Sequence, residues 1–481
     1  MKATNLLYIM ADEHNPKVLG CYGHDQVQTP NLDRLAEKGI RFTSAYTNSP
    51  ICIPARAAFA TGRYAHETRH WDNAMPYDGE IKSWGHRLQD EGIRVESVGK
   101  LHYRGEKENT GFSKQYHPMH VMDGIGQVWG SIRDPLPEAR PAKMLNEIGP
   151  GESNYNRYDR LIADTGKQWL KDRASSPDEK PWVLYLSFVA PHFPLVVPQQ
   201  FYDLYPLDDL PGRKLDPDTG YQRHPWLQRQ DDFSQVDRGL SAEKKRMAVA
   251  AYFGLCTYVD ALIGEVLETL DDLDLTGSTR IVYTSDHGDN VGARGMWGKS
   301  NMYEEAAGVP LIVSGPDVPA GEVCETPVSL VDTYQTVLKS VNLAPTDEEQ
   351  DLQGRSWFET AGDAYDLERV VYSEYHAAQS PTGAYMIRQG DYKLNYYVSY
   401  EPEFFDLKKD PEETTNVVDD PDYAALVQAY RSVLNDICNP EATDRRAKDD
   451  QNELVERFGG RDAALNTGTP GATPVPGQGH E

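Results

Sequence analysis

Three short apolar runs, each followed directly by polar residues, constrain the fold of this chain most strongly. The runs cover residues 6–11, 182–188 and 281–285. Continuous apolar segments of this length are typical of parallel strands that helices cover on both faces. Ligand sites of open α/β sheets lie beyond the carboxyl ends of such strands. We therefore expect an α/β fold in which the polar residues after these runs share one rim of a sheet.

The formal net charge of −27 over 481 residues limits the expected partners. Nucleic acids and anionic membrane surfaces both bind to basic faces, so neither is an expected partner. No apolar run approaches the about 20 residues of a membrane span, and the first residues lack the pattern of a signal peptide. The sequence thus predicts a cytoplasmic protein in which local cations attract an anionic substrate.

Cys52 stands out among five scattered cysteines, which form no Cys-x-x-Cys pair, because it lies at the predicted start of a helix. Pro54 suits the first helical turn and Gly62 suits the helix end. Free N–H groups and the helix dipole at such a start favour a bound anion and lower the pKa of a thiol. Arg56 follows one turn later and is expected to point back towards Cys52. The segment suits a tetrahedral oxyanion; a buried cysteine beside a surface arginine is the structural alternative.

Two predicted strands end in pairs of residues that can bind a metal ion. Asp12 and Glu13 follow the first strand, and their carboxylates repel each other unless a cation holds them. Asp286 and His287 follow the strand at 281–285. If the sheet brings these ends together, they form an oxygen-rich site with one imidazole, which suits Ca²⁺, Mn²⁺ or Mg²⁺. An acidic turn that caps a helix is the alternative reading of Asp12 and Glu13.

Further polar residues follow predicted strands or lie in loops near them. Lys100 and His102 are alternate residues of an extended segment, so their side chains point the same way. His192 lies between prolines that exclude a helix, and a purely structural histidine is its alternative role. Asn73, in a loop rich in His and Arg, could donate a hydrogen bond into the site.

The pattern Cys-x-Pro-x-Arg at 52–56 resembles the maturation signature of the type I sulfatases, the formylglycine-dependent enzymes of the alkaline phosphatase superfamily. Most members carry Ser before the Arg, whereas this chain has Ala55. Further similarity follows in family order at the acidic pair 12–13, at Gly-Lys-x-His in 99–102, at Ala-Pro-His-x-Pro in 190–194, at 286–287 and at Lys299.

This resemblance implies an α/β, alkaline-phosphatase-like fold: a large mixed sheet flanked by helices, with a smaller C-terminal α+β subdomain. We expect a catalytic domain at 1–369 and a subdomain with a small antiparallel sheet at 370–450. Residues 451–481 are expected to be a tail, either flexible or an arm ordered by a neighbouring subunit of a dimer or tetramer.

The resemblance also implies the chemistry. Formylglycine, made from Cys52 by a formylglycine-generating enzyme, would act as a hydrated nucleophile beside one divalent metal ion, Ca²⁺ in preference to Mn²⁺ or Mg²⁺. The sulfate charge would be stabilised by Arg56, Lys100 and Lys299. His192 or Lys299 would protonate the leaving oxygen, and His102 would take the proton that releases sulfate. The implied metal ligands are Asp12, Glu13, position 52, Asp286 and His287.

The expected substrate is a small alkyl or aryl sulfate monoester, because the C-terminal part looks most similar to choline-sulfatase-like and arylsulfatase members. Trp129 and Glu374 are candidates to hold an ammonium group, as an aromatic face and a carboxylate can, and Asn73 is a further substrate-binding candidate. Phosphonate monoester and phosphodiester hydrolases of the same superfamily are the alternative, although they typically lack the Lys100 and His102 pair. A catalytically silent anion-binding homologue is the non-enzyme alternative.

Overall fold

A computed structural model describes residues 2–469 and 471–477. The strands are β1 (Asn5–Asp12), β2 (Gly39–Phe42), β3 (Ala45–Tyr46), β4 (Arg94–Lys100), β5 (Lys114–Met119), β6 (Ile148–Pro150), β7 (Trp182–Pro191), β8 (Leu195–Val197), β9 (Thr279–Ser285), β10 (Leu311–Ser314), β11 (Glu322–Cys324), β12 (Val328–Ser329), β13 (Val370–Tyr375), β14 (Ala384–Gln389), β15 (Tyr392–Tyr397) and β16 (Glu403–Asp406). The α-helices are α1 (Pro30–Glu37), α2 (Cys52–Thr61), α3 (Ala65–Thr68), α4 (Trp84–Asp90), α5 (Asn154–Ser175), α6 (Gln199–Tyr202), α7 (Pro225–Ser234), α8 (Ala242–Asp272), α9 (Glu304–Ala307), α10 (Thr333–Ser340), α11 (Trp357–Thr360), α12 (Ala424–Ile437), α13 (Pro440–Arg457) and α14 (Arg461–Ala464).

Eight strands form the central sheet, in the order β11-β2-β10-β9-β1-β7-β4-β5. β1 lies between β7 and β9 and runs parallel to both, whereas β10 is antiparallel to β9 and β2. The sheet is therefore mixed, as predicted, and the three apolar runs are its neighbouring central strands.

Helices cover the sheet on both faces because β1 is apolar on both faces. Leu7 and Ile9 pack with residues of α5 and α8, and Leu6 and Tyr8 pack with residues of α2, α4 and α10. Alternate residues of a strand point to opposite faces, so this continuous apolar run contributes to two cores.

Helix α8 is a core helix. It has 31 residues, and its most apolar window is hydrophobic enough for a membrane span, but 89% of that window is buried within the protein. The same length and hydropathy are common in the central helix of a large domain.

The parallel register brings four strand ends to one rim. Ala11 pairs with Ser285, Asp12 with Pro191, and Gly99 with Ser187. Helix α2 begins at Cys52 and ends at Gly62, whose φ of +67° closes it. The predicted start and end of this helix are thus confirmed.

The C-terminal part contains the predicted antiparallel sheet, β13-β14-β15-β16, against which α12 packs. The predicted boundary at 370 coincides with the first residue of β13, but the boundary at 450 falls inside α13. Residues beyond it return to the catalytic part of the same chain, where Gln127 Nε2 donates to Gly471 O and Trp129 Nε1 donates to Thr469 O. The described part of the expected tail is therefore packed on its own chain; residues 470 and 478–481 lie outside the described residues.

Gly99 is required at the end of β4. Its φ is +98°, and a Cβ there would lie 2.3 Å from the carbonyl oxygen of Ser187 on β7. We expect Gly99→Ala to lower the free energy of unfolding by roughly 1–3 kcal/mol, because both the backbone conformation and the strand pairing oppose the methyl group. Urea denaturation measures this loss. Gly212→Ala, with no atom within 4 Å of the added Cβ, is the control and should change nothing.

Candidate active site

The rim opens into one cavity of about 1230 Å³. Most of the predicted catalytic residues and two of the predicted substrate-binding residues line it: Cys52, Lys100, His102, His192, Lys299, Asn73 and Trp129. The strand ends therefore bring together residues that are as much as 247 positions apart, from Cys52 to Lys299.

Four buried side chains beside the cavity form a cluster that suits a metal ion. The donor atoms of Asp12, Cys52, Asp286 and His287 all lie within 4.8 Å of one another. His287 Nδ1 lies 3.0 Å from the Gly288 carbonyl oxygen, which leaves Nε2 facing Cys52 Sγ at 3.3 Å. Two carboxylates and an oriented imidazole fit a divalent cation that prefers oxygen, or oxygen and nitrogen, ligands.

Arg56 points towards carboxylates of the cluster that contains Cys52 but does not line the cavity. Its Nη2 donates to Asp12 Oδ2 and its Nε donates to Asp286 Oδ2, both at 2.9 Å, while Nη1 donates to the Lys100 carbonyl and to Ser187 Oγ. Buried charges need such partners, and two carboxylates of the metal-like cluster supply them. The expected role of Arg56 in stabilising the sulfate charge is corrected: its donors are taken by protein partners, so Arg56 positions Asp12 and Asp286.

The prediction of a lowered pKa for the Cys52 thiol is wrong. Burial of Cys52, together with the negative charge of Asp12, raises the pKa of its thiol to about 12. The start of α2 offers fewer free N–H groups than expected, because Asn73 Oδ1 accepts from Ile53 N at 3.2 Å. Asn73 Nδ2 in turn donates to Gln127 Oε1, so Asn73 supports the helix start at the cavity wall rather than donating into the site.

Glu13 lies beside the cluster but not within it. Its Oε2 lies 2.9 Å from Lys299 Nζ and 3.4 Å from His192 Nε2, and burial raises its pKa to about 8. With Asp12 and His192 it forms a second group of donor atoms within 4.8 Å. The prediction that Glu13 joins Asp286 and His287 is therefore not met.

Two lysines bring positive charge to the cavity. Lys100 Nζ lies 2.7 Å from Asp12 Oδ2. Burial alone would lower the pKa of Lys299, but the ionised forms of Cys52 and Glu13 raise it overall. Lys299 is therefore protonated at neutral pH, and its ammonium group can donate hydrogen bonds into the cavity.

Both cavity histidines are neutral at pH 7. Burial and the charge of Lys100 lower the pKa of His102 well below its usual range; burial and Lys299 do the same for His192. His192 Nδ1 lies 2.6 Å from the carbonyl oxygen of Phe193, which assigns its proton to Nδ1 and leaves Nε2 as an acceptor. Of the two predicted proton donors, Lys299 fits better than His192.

Four hydrogen bonds around the cavity histidines were not predicted from the sequence. Thr473 Oγ1 lies 2.9 Å from His102 Nε2, and Tyr155 donates to the Thr473 carbonyl. Asp159 accepts hydrogen bonds from the backbone of Val189 and Ala190 just before His192. Thr473 lies in a stretch without hydrophobic pattern, and Asp159 is one of 75 acidic residues, so neither carried a local signal.

Glu374 does not reach the cavity, so its predicted role in substrate binding is corrected. It is fully buried in β13, where its Oε1 lies 2.9 Å from His66 Nδ1 and its Oε2 lies 3.2 Å from His376 Nε2. Trp129 does line the cavity, but the guanidinium of Arg140 already lies 4.5 Å from the centre of its ring.

Comparisons with known proteins agree with this geometry. The family model for sulfatases matches residues 4–343, and the model for the C-terminal part of N-sulphoglucosamine sulphohydrolase matches residues 292–439. A choline-sulfatase of Rhizobium meliloti (strain 1021) is 31% identical over 477 residues, covering 93% of this chain and 89% of that protein. Arylsulfatase K of Canis lupus familiaris is 28% identical, covering 90% of this chain and 83% of that protein.

Among solved structures, the phosphonate monoester hydrolase of Agrobacterium radiobacter matches with a TM-score of 0.73 and 24% identity, covering 90% of this chain and 95% of that one. This likeness shows the fold. The chain belongs to the sulfatase family of the alkaline phosphatase superfamily. It is a hydrolase that acts on sulfuric esters, as the sequence resemblance predicted.

We expect Arg56→Met to lower the free energy of unfolding by roughly 3–5 kcal/mol, because it leaves two buried carboxylates without a cation. A divalent cation should restore part of this loss in the variant, since it can neutralise the same carboxylates. Thermal unfolding with and without metal measures both effects. Arg63→Met, which breaks an exposed pair with Asp351, is the control. A loss below about 1 kcal/mol for Arg56→Met would contradict the positioning role.

We expect Glu374→Gln to lower the free energy of unfolding by roughly 1–3 kcal/mol at pH 6 and to leave KM unchanged. Although burial opposes both charges, His66 lowers the pKa of Glu374 and Glu374 raises that of His66. The stabilisation is therefore lost as the pH falls through the folded pKa of Glu374 or rises through that of His66. Urea titrations across pH, with steady-state kinetics, measure this. A raised KM for Glu374→Gln would contradict this structural role and support a role of Glu374 in substrate binding.

Proposed function

We propose that this protein hydrolyses small sulfate monoesters with formylglycine at position 52 and one divalent metal ion. The observation that carries the proposal is the convergence of Asp12, Cys52, Asp286 and His287 donor atoms within 4.8 Å, beside a cavity that Cys52 lines. The Cys52 thiol stands where the formylglycine side chain would be, so its contacts are those of the unmodified precursor.

The four-residue cluster would hold the metal ion. Two carboxylates and one imidazole support Ca²⁺, with Mn²⁺ or Mg²⁺ as the alternatives. A bound divalent cation supplies positive charge at the sulfate and lowers the pKa of a neighbouring hydroxyl. Formylglycine, made from Cys52 by a formylglycine-generating enzyme, supplies two hydroxyl groups on one carbon once it is hydrated.

Lys100 and Lys299 are proposed to bind the sulfate group. Both ammonium groups line the cavity, and each is held by one carboxylate, Asp12 or Glu13. Two fixed cations in a buried site stabilise charge that develops on the sulfate oxygens. Lys299 is also proposed to donate the proton to the leaving oxygen, because it lines the cavity and its Nζ donates to Glu13 Oε2 at 2.9 Å, which orients it.

His102 is proposed to accept the proton whose removal releases sulfate. Its lowered pKa keeps the ring neutral, so that a nitrogen lone pair is available. Thr473 holds Nε2, while the buried Nδ1 has no hydrogen-bond partner among the described residues. This leaves Nδ1 as the accepting atom. The cytoplasmic location and the homo-oligomeric state stay predictions from the sequence.

We expect Cys52→Ala to reduce sulfate release from 4-nitrophenyl sulfate at least about 10³-fold while the melting temperature stays close to that of the wild type, since covalent catalysis is removed and the fold is kept. Cys324→Ala, at a buried cysteine outside the cavity, is the control and should keep full turnover. Chelation should abolish turnover, and Ca²⁺, Mn²⁺ and Mg²⁺ should then be compared for its recovery.

Mass spectrometry of the peptide carrying Cys52, from protein made together with a formylglycine-generating enzyme, tests the nucleophile directly. An aldehyde in place of the thiol supports the proposal. An unmodified thiol in fully active protein refutes it. A higher kcat/KM for an aryl phosphonate than for the matching sulfate would favour the phosphonate monoester hydrolase alternative.

A further inference from the structure

Two cations on the cavity wall lack a carboxylate partner among the described residues. Arg140 and Lys143 both line the cavity, and no described carboxylate oxygen lies within 4.0 Å of either charged group. The other lysines and arginines of the lining are all paired, namely Lys100 with Asp12, Lys299 with Glu13 and Arg157 with Glu152. Lys143 is exposed, whereas Arg140 is half-buried, and a half-buried cation on a cavity wall without a carboxylate partner among the described residues suits a bound anion.

Contacts within the protein hold Arg140 in place. Its guanidinium lies over the Trp129 ring, 4.5 Å from the centre, its Nη1 donates to the Leu465 carbonyl, and its backbone N donates to the Phe233 carbonyl. Trp129 is itself anchored through the Thr469 carbonyl. The side chain is therefore preorganised, which reduces the entropy that a ligand must overcome.

The remaining donors of Arg140 are available to a ligand. Its Nε and Nη2 have no hydrogen-bond partner among the described residues. A planar guanidinium edge of this kind binds a carboxylate or a sulfate through paired hydrogen bonds. Burial lowers the pKa of Arg140, and a bound anion would raise the pKa again by stabilising the charged guanidinium.

We propose that Arg140, assisted by Lys143, binds a second anionic group of the sulfate ester, so that the substrates carry a carboxylate or a second sulfate beside the ester that is cleaved. This inference rests on the proposed function and narrows it. It disfavours choline sulfate, because the ammonium group would meet Arg140 on the Trp129 ring, and Glu374 is not there to bind it. Glu147, an exposed carboxylate on the same wall, opposes the anion, which is why the held Arg140 is assigned the main contact.

Matched phenyl sulfates test the proposal. Meta- and para-substituted esters carrying a carboxylate, a neutral carboxamide, a second sulfate or a trimethylammonium group are compared by kcat/KM. We expect the wild type to prefer the better anionic ester over the carboxamide by about 10-fold, the effect of one charge-assisted pair. Comparing kcat/KM for the esters that carry a carboxylate and a second sulfate shows which anion the site prefers. Equal kcat/KM values for the anionic and carboxamide esters, or a higher kcat/KM for the trimethylammonium ester, would overturn the proposal.

The variants assign the preference to a residue. Arg140→Gln should bring the ratio of kcat/KM for the anionic ester to kcat/KM for the carboxamide ester close to 1. Lys143→Gln should lower this ratio less. Arg157→Gln, which removes a paired cation of the same wall, is the control and should keep the ratio. An unchanged ratio in Arg140→Gln would overturn the assignment.

A separate experiment distinguishes failure of the proposed function from failure of this inference. Sulfate release from the neutral carboxamide ester tests hydrolysis without any second anion. If no ester is hydrolysed, calorimetric titration of the carboxylate and carboxamide esters into Cys52→Ala protein decides the inference instead. About 10-fold tighter binding of the carboxylate ester, lost on adding Arg140→Gln, supports it, and equal affinities overturn it.

Discussion

The active site depends on the ion pairs between Arg56 and the carboxylates of Asp12 and Asp286. All three side chains are buried, and both contacts measure 2.9 Å. Removing charges from water costs several kcal/mol per ion, so each carboxylate can be buried only with a cation beside it. Arginine suits this position because it stays protonated and donates in several directions. These pairs also fix the start of α2, and therefore Cys52, against the ends of β1 and β9.

This arrangement separates the cations of the site into two sets. The inner set, Arg56, Lys100 and Lys299, is bound to carboxylates of the protein and lies around Cys52, which we propose carries the nucleophile. The outer pair, Arg140 and Lys143, lies on the cavity wall without such partners among the described residues. In our proposals, Lys100 and Lys299 bind the sulfate that every substrate shares, Arg56 positions the carboxylates, and the outer pair distinguishes between the alcohols attached to the sulfate. The C-terminal segment supports this outer wall through Leu465 and Thr469 and reaches His102 through Thr473.

Much of the site could be predicted because its residues directly follow strands or begin a helix. The end of an apolar run is a local property, and parallel strands place all such ends on one rim. The meeting of Asp12, Cys52, Asp286 and His287 could therefore be predicted from the sequence. Lys100, His102 and His192 line the cavity beside them for the same reason, whereas Lys299 comes from the loop between β9 and α9. The spacing of the motifs indicated the sulfatase family, and the comparisons confirm it.

The sequence by itself therefore determined the fold class, the family, and the strand ends and helix start from which the catalytic side chains come. Only the tertiary structure decided the direction and partners of those side chains. Arg56 turns towards carboxylates 44 and 230 positions away, Glu374 is buried between two histidines, and the described end of the chain lies over the cavity. The thiol pKa of Cys52 likewise follows from burial rather than from its place at a helix start. Partners, burial and charge in each case come from residues distant in sequence, and the packing of the whole chain decides which of them meet.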